Sequence, residues 1–421
     1  MEMKLPYGKG AVSFELPRER LAGILQGRPC VPEKDAVTIV RESMENPIGS
    51  KRLWQLAQGK KDIVILTSDH TRPVPSRVIL PLMLKELRRG SPGARIRILV
   101  ATGCHRKMTG KELKEKFGEE LLAEEEIVTH DCEDEENLVS LGTLPSGGEL
   151  KINRLGVWAD LLVAEGFIEP HFFAGFSGGR KSVLPGIASR TCVHYNHNSA
   201  FIDHPCARAG ILEGNPIHED MVYAAKKAGL AYIVNVVFNS ERQVIASFAG
   251  DGELAHGAGC RFVRELTLCA PVMADVVVTT NNGYPLDQNI YQMVKGISSA
   301  GATCKKGGVI IALGACEDGV GASGFYETFR KWDRVSDMLT DFRKVPPDKT
   351  VTDQWQSQIL ARILEDHTVI LVSEADRDAV KNLKMIPAAS VQEAFHLAEG
   401  ILKKDDYKVT VIPEGISVVI G

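Results

Sequence analysis

The chain has 421 residues, 44% of them hydrophobic and 25% charged, with a formal net charge of −4. That length is more than one compact core and implies about two or three domains, while the charge gives no basic footprint for nucleic acid. No apolar run reaches the roughly 20 residues that cross a bilayer, and the start, "MEMKLPYGKGAVSFELP", lacks the apolar core of a signal peptide. Nine cysteines, an odd number, widely scattered and never spaced CxxC, read as reduced thiols rather than a disulfide framework or zinc ribbon. These features predict a cytoplasmic protein with no membrane or nucleic-acid partner.

In chain order, short β-branched apolar runs recur at 62–69, 95–103, 159–166, 231–238, 275–281, 307–314 and 368–374. Runs of this length separated by helical stretches predict parallel strands buried on both faces. "RVILPLMLKELRRG" (77–90) predicts the crossover helix between the first two strands, closed by Gly90 and Pro92. Further helices are expected at 218–229, 253–268, 286–303, 323–341, 353–366 and 390–403. The fold class is therefore α/β with doubly wound sheets. "CAPVMAD" breaks the pattern at Pro271 and a fresh strand–helix series follows, which predicts domains of 1–270 and 271–421.

Chemically capable residues collect after the strands: "SDHTRP" (68–73), "TGCHR" (102–106), "EGFIEPH" (165–171) and "NNGYPLDQ" (281–288). Open α/β sheets bind ligands beyond the carboxyl ends of their strands, so one site built from several loops is expected. "HFFAGFSGGRKSVLPGI" (171–187) stands out. Gly175, Gly178 and Gly179 would let backbone N–H groups approach an anion, and a following helix N-terminus would add its dipole. The Walker pattern needs glycine directly before Lys-Ser, and here that position is Arg180. A glycine-rich turn between strand and helix is the plain alternative.

"TCVHYNHNSA" places His194 and His197 three residues apart, a spacing that suits either a metal or a helix surface. His105 and His171 each follow a strand, where a general acid or base would sit. Arg72 lies in a turn fixed by Pro73 and Pro75, suited to clamping a carboxylate or to a surface ion pair. The acidic run "HDCEDEENL" reads as a solvated loop.

Taken together, "SDHTRPVP", "TGCHRKMT", "PHFFAGFSGGRKS…PGI", "NHN" and "NIYQMVKG" resemble, in order and spacing, the nickel-pincer lactate racemase family, over roughly residues 10 to 415. The resemblance implies two Rossmann-like doubly wound α/β domains with the active site between them, the first carrying the cofactor tether and the acid–base histidines. It implies that Lys181 is joined covalently to a nickel-pincer nucleotide (a pyridinium-3-thioamide-5-thiocarboxylic acid mononucleotide) whose Ni(II) takes His197 as its protein ligand. Soft sulfur and imidazole suit planar Ni(II), and a cofactor of this kind carries the hard chemistry. Gly175, Ser177, Gly178, Gly179 and Asp69 belong with the cofactor in this picture.

The implied reaction is racemisation or epimerisation of a 2-hydroxy acid by reversible hydride transfer, with lactate the favoured substrate and a larger 2-hydroxy acid the alternative. His105 and His171 would serve as the acid–base pair and Arg72, Lys295, Tyr291, Gln292 and Trp355 as substrate contacts, with Tyr291 and Lys295 sharing a helix face. Cofactor-synthesis enzymes are implied as transient partners. A non-catalytic carrier of the nickel nucleotide would need Lys181 and His197 but no acid–base pair. A zinc hydrolase using His194 and His197 lacks an HExxH motif or clustered carboxylates.

Overall fold

Two six-stranded sheets, each buried between helices, organise the chain; the computed structural model describes residues 1–421. Runs such as Ile63–Leu66, Val276–Val278 and Val309–Leu313 are fully buried. Each such side chain contributes about 1.5–3 kcal/mol by leaving water, so these strands are held from both faces.

The first sheet runs, in spatial order, Val244–Gly250, Leu230–Phe238, Leu161–Phe167, Asp62–Ser68, Arg95–Ala101 and Glu126–Thr129. All neighbours are parallel except Val244–Gly250, which returns antiparallel beside Leu230–Phe238. The second sheet runs Ile386–Ala388, Thr368–Val372, Cys304–Leu313, Ala274–Thr280, Val409–Ile412 and Leu21–Ile24, parallel throughout. In the first sheet the chain starts at the central strand Asp62–Ser68, winds to one side and then to the other. The second sheet repeats this from Ala274–Thr280, with Leu21–Ile24 added at its edge. The crevices at those reversals, beyond the carboxyl ends of Asp62–Ser68 and Ala274–Thr280, are where such sheets receive ligands.

Residues 1–24 depart from the expected 1–270 grouping. Leu21–Ile24 pairs with Val409–Ile412 at the edge of the second sheet, and the hairpin Glu2–Tyr7/Gly10–Glu15 packs Met3, Leu5 and Phe14 onto the core of that sheet. A four-residue edge strand carries no local signal of which sheet it will join. The helix expected over 323–341 is two, Ser323–Arg330 and Val335–Lys344, parted at "KWDR". No helix is long and apolar enough to cross a membrane.

One close approach sets the position of the helix Ile290–Gly301. A Cβ on Gly296 would lie 2.4 Å from the carbonyl oxygen of Thr280, and the Gly296 N–H donates to Asn281 Oδ1 at 3.0 Å. The helix therefore touches the strand end backbone to backbone, which carries Tyr291, Gln292 and Lys295 toward the cleft. Gly296→Ala is expected to push this helix outward and to lower stability by about 1–3 kcal/mol, the usual effect of overpacking. Urea unfolding measures the loss, and a raised KM for the substrate should accompany it.

Candidate functional site

The carboxyl ends of both sheets face one cavity of about 490 Å³. Asp69, Arg72, His105, His171, Ser177, Gly178, Gly179, Lys181, His197, Tyr291, Gln292, Lys295 and Trp355 all line it. Gly175 does not: it is buried with a φ of +77°, and a Cβ there would meet the Ile211 carbonyl at 2.3 Å.

The first loop is built on Asp69. Its Oδ1 accepts from the Thr71 N–H at 3.0 Å and the Thr71 hydroxyl at 2.5 Å, and its Oδ2 meets His105 Nδ1 at 2.8 Å. Burial pushes the Asp69 carboxyl up, but the hydrogen bonds of His105 and Thr71 and the nearby Arg72 charge prevail and hold it at about 2. An ionised Asp69 accepts from His105 Nδ1–H, so a neutral His105 keeps the lone pair on Nε2.

The glycine-rich loop differs from a phosphate cradle. Gly179–Ser182 is a single 3₁₀ turn rather than the start of a long helix, and the Gly179 N–H is spent on Asn235 Oδ1 at 2.8 Å. The Ser177 hydroxyl donates to the Phe167 carbonyl at 3.0 Å and accepts from the Glu169 N–H at 2.9 Å. Positive φ at Gly178 and Gly179 folds the loop around Arg180, which is only 3% exposed. That guanidinium donates to the carbonyls of Phe176 and Ala174, both at 2.7 Å, and to His218 Nδ1 at 3.1 Å. Burial without a carboxylate partner lowers it to about 10.

With Arg180 turned inward, Lys181 turns to the cavity. Burial first, then the charges of Arg72, Arg180 and Lys295, push its amine well below the ordinary lysine value. Burial and Arg72 likewise lower Lys295 to about 8, and its Nζ donates to Gln292 Oε1 at 2.7 Å. Burial, then Lys181, Arg72 and Lys295, hold His171 well below the usual histidine range, so this ring is neutral.

His197 closes the helix Arg190–Asn196 and is 4% exposed. Phe173 and Trp355 each meet its ring edge-to-face with centroids 5.0 Å apart, and its Nδ1 is buried with no hydrogen-bond partner. Burial and Lys181 lower it to about 3, leaving a neutral imidazole able to bind a metal. His194 Nε2 meets the Thr352 hydroxyl at 3.0 Å, and its ring lies 5.9 Å from that of Trp355. No third His, Cys, Asp or Glu side chain joins His194 and His197 in a group that could hold a metal ion.

Three cavity neighbours carried no motif. Glu169 is half-buried beside Arg72, Lys295 and Lys181, and burial raises its carboxyl against their charges. Asp353, at φ +65°, accepts from the Tyr291 hydroxyl at 2.8 Å, and Gln356 Nε2 donates to the Tyr291 carbonyl at 2.5 Å. The position of Glu169 just before Pro170-His171 and the polar "TDQWQ" segment were the available signals.

Asp69 has a consequence for stability. Its folded pKa lies below the ordinary value of about 3.9, so its contribution is fully present above that pH and is lost as pH falls through about 2. Asp69→Asn should therefore cost about 2 kcal/mol at pH 7. The gap from the parent protein should narrow below pH 4, as urea unfolding at pH 7, 5 and 3 will register.

Family models for the lactate racemase N-terminal domain and C-terminal domain match residues 7–210 and 269–420. A lactate racemase of Thermoanaerobacterium thermosaccharolyticum is 53% identical over 424 residues, and one of Lactiplantibacillus plantarum 49% over 419, each match covering 99% of both chains. The structure of the lactate racemase apoprotein from T. thermosaccharolyticum superposes with a TM-score of 0.98 at 53% identity, covering 100% of each chain. A protein from Thermotoga maritima, 19% identical, shares the fold with a TM-score of 0.65 over 94% of this chain and 100% of its own. Two domain models in series and relatives about half identical from end to end make this chain a member of the lactate racemase family.

Proposed function

We propose that the protein is a lactate racemase that inverts C2 of a small 2-hydroxy acid, with Lys181 tethering a nickel-pincer nucleotide and His197 completing the coordination of its metal. The observation that carries the reading is the convergence of His105, His171, Arg72, Lys295, Lys181 and His197 on one cavity. The nucleotide fits the residues present. A lysine held low is an amine ready for acylation. His197 has an unpartnered ring nitrogen, and the absence of any three-residue metal cluster suits a metal that brings its other ligands with it. When bound, the group would supply a reversible hydride acceptor for C2.

The protein's own residues then have separable tasks. Arg72 and Lys295 bind the substrate carboxylate, and Gln292 orients Lys295. Tyr291, fixed by Asp353 and Gln356, and Trp355 close the side of the second sheet. His105, with Nδ1–H given to Asp69, takes the hydroxyl proton at Nε2 from one enantiomer, and His171 serves the other hand. Phe172 and Phe173 pack on His171 with centroids 5.1 and 4.5 Å away and narrow the space for the C3 group, which favours lactate over longer substrates. Protein made in the cytoplasm beside cofactor-synthesis enzymes would receive the nucleotide there. A non-catalytic carrier would have no use for the Asp69–His105 pair.

Lys181→Ala is expected to lose both the covalent mass adduct and stoichiometric nickel while remaining folded, whereas His197→Ala should loosen nickel and keep the adduct. Intact-mass and metal analysis of protein co-produced with the cofactor-synthesis enzymes distinguish these outcomes. An adduct surviving in Lys181→Ala overturns the tether, and nickel retention that depends on His194 overturns the ligand.

If the C2 hydrogen leaves and returns as hydride, it never meets solvent. Inversion of 2-deuterated lactate in ordinary water should yield product that keeps its deuterium, whereas a C2 carbanion would lose it through the exchangeable protons of His105 and His171. Loss of label at low conversion, read by mass spectrometry, refutes hydride transfer.

A further inference from the structure

Before any nucleotide is attached, the cavity holds a free amine beside a carboxylate cradle. Lys181 Nζ lies 5.7 Å from the Phe173 ring centre, and the nearby carboxylate, Glu169, acts on it as a charge rather than as a hydrogen-bond partner. Arg72 and Lys295 line the same cavity and lie close enough to act on the amine electrostatically. A small pocket behind His171, lined by Arg72, Glu169, Phe172 and Lys295, continues this cationic wall. A half-buried lysine crowded by other cations is the setting in which amines condense with carbonyl compounds.

We infer that the unloaded protein is an imine-forming host for 2-oxo acids, capturing them on Lys181 with their carboxylate held by Arg72 and Lys295. The inference rests on the proposed reading of Arg72 and Lys295 as the carboxylate site and of Lys181 as a nucleophile. In the step, the Nζ–C2 bond forms as the C2=O π bond opens, and an amine proton passes to that oxygen. The oxygen then leaves as water with one further proton from solvent, which gives a protonated imine with no change in oxidation state. The low amine pKa keeps an attacking lone pair available near neutrality, and an imine at Lys181 occupies the atom that the nucleotide needs. A 2-oxo acid is thereby a reversible competitor of cofactor attachment.

The test uses full-length protein made without the cofactor-synthesis enzymes, pyruvate as the probe, and cyanoborohydride to trap the imine. One reduced adduct per chain is expected, mapped by peptide mass spectrometry to Lys181. Lys181→Met should remove it, and Arg72→Ala or Lys295→Met should slow trapping about tenfold, the scale of one lost charge-assisted hydrogen bond. Acetone, which has the carbonyl but no carboxylate, should label Lys181 far more slowly. No adduct, an adduct spread over surface lysines, or equal trapping of acetone and pyruvate each overturns the inference. Nucleotide-loaded protein run alongside keeps the two readings apart. A nucleotide adduct without pyruvate trapping overturns this inference alone, and pyruvate trapping in a chain that never takes up nucleotide upholds it and overturns the proposed function.

Discussion

A guanidinium buried without a counter-ion is the constraint on which the site depends. Removing an unpaired charge from water is expensive unless hydrogen bonds replace the lost hydration. Arg180 meets that requirement by drawing the carbonyls of Ala174 and Phe176 around itself. The chain between them must curl tightly, which is why Gly178 and Gly179 hold positive φ with no room for a side chain: a Cβ would strike Phe167 O and Asn235 Oδ1 in one case and the His256 ring in the other. Once the arginine is anchored, the next residue has nowhere to go but the cavity. Lys181 is thus presented by a rigid frame rather than by a flexible arm.

The same frame sets the electrostatics. Arg72, Arg180, Lys181 and Lys295 act on one another across a partly desolvated space, with Glu169 as the opposing charge. Like charges in a poorly screened setting weaken one another's protonation, so Lys181, His171 and His197 are held low while the cavity attracts anions. His105 differs in its partner, because its Nδ1 meets the Asp69 carboxylate. Two histidines on one cavity therefore have different surroundings, one backed by a carboxylate and the other by aromatic rings and cations.

Much of this was legible in the sequence because its causes are local. Buried parallel strands need continuous apolar runs, so seven of them could be read from "DIVILTSD" onward, and the clustering of polar residues just past their ends located the cleft. The motif residues named from the family resemblance fall on one cavity, apart from Gly175. What the pattern could not show depends on contacts distant in sequence. Arg180 looked like a departure from a phosphate loop, yet it is the loop's anchor through His218 and the carbonyls of 174 and 176. Glu169 and Asp353 matter through partners on other elements, and the edge strand Leu21–Ile24 joins a sheet whose neighbouring strand begins at Val409.

That last pairing bears on the order in which the protein can be made. Chains leave the ribosome N-terminus first, and domains fold as units when their sequence is complete. Strands of the first sheet come from a contiguous middle stretch, so that lobe can close while the remainder is still being synthesised. The second lobe cannot, because its edge strand emerges among the first residues and its partner among the last. Throughout that interval Leu21–Ile24 is an unpaired strand, the kind of edge that invites pairing with a foreign chain. Its brevity, with alternate residues exposed, gives such misassociation little to grip. A nascent chain that stalled before Val409 would carry a finished glycine-rich loop beside an incomplete second lobe.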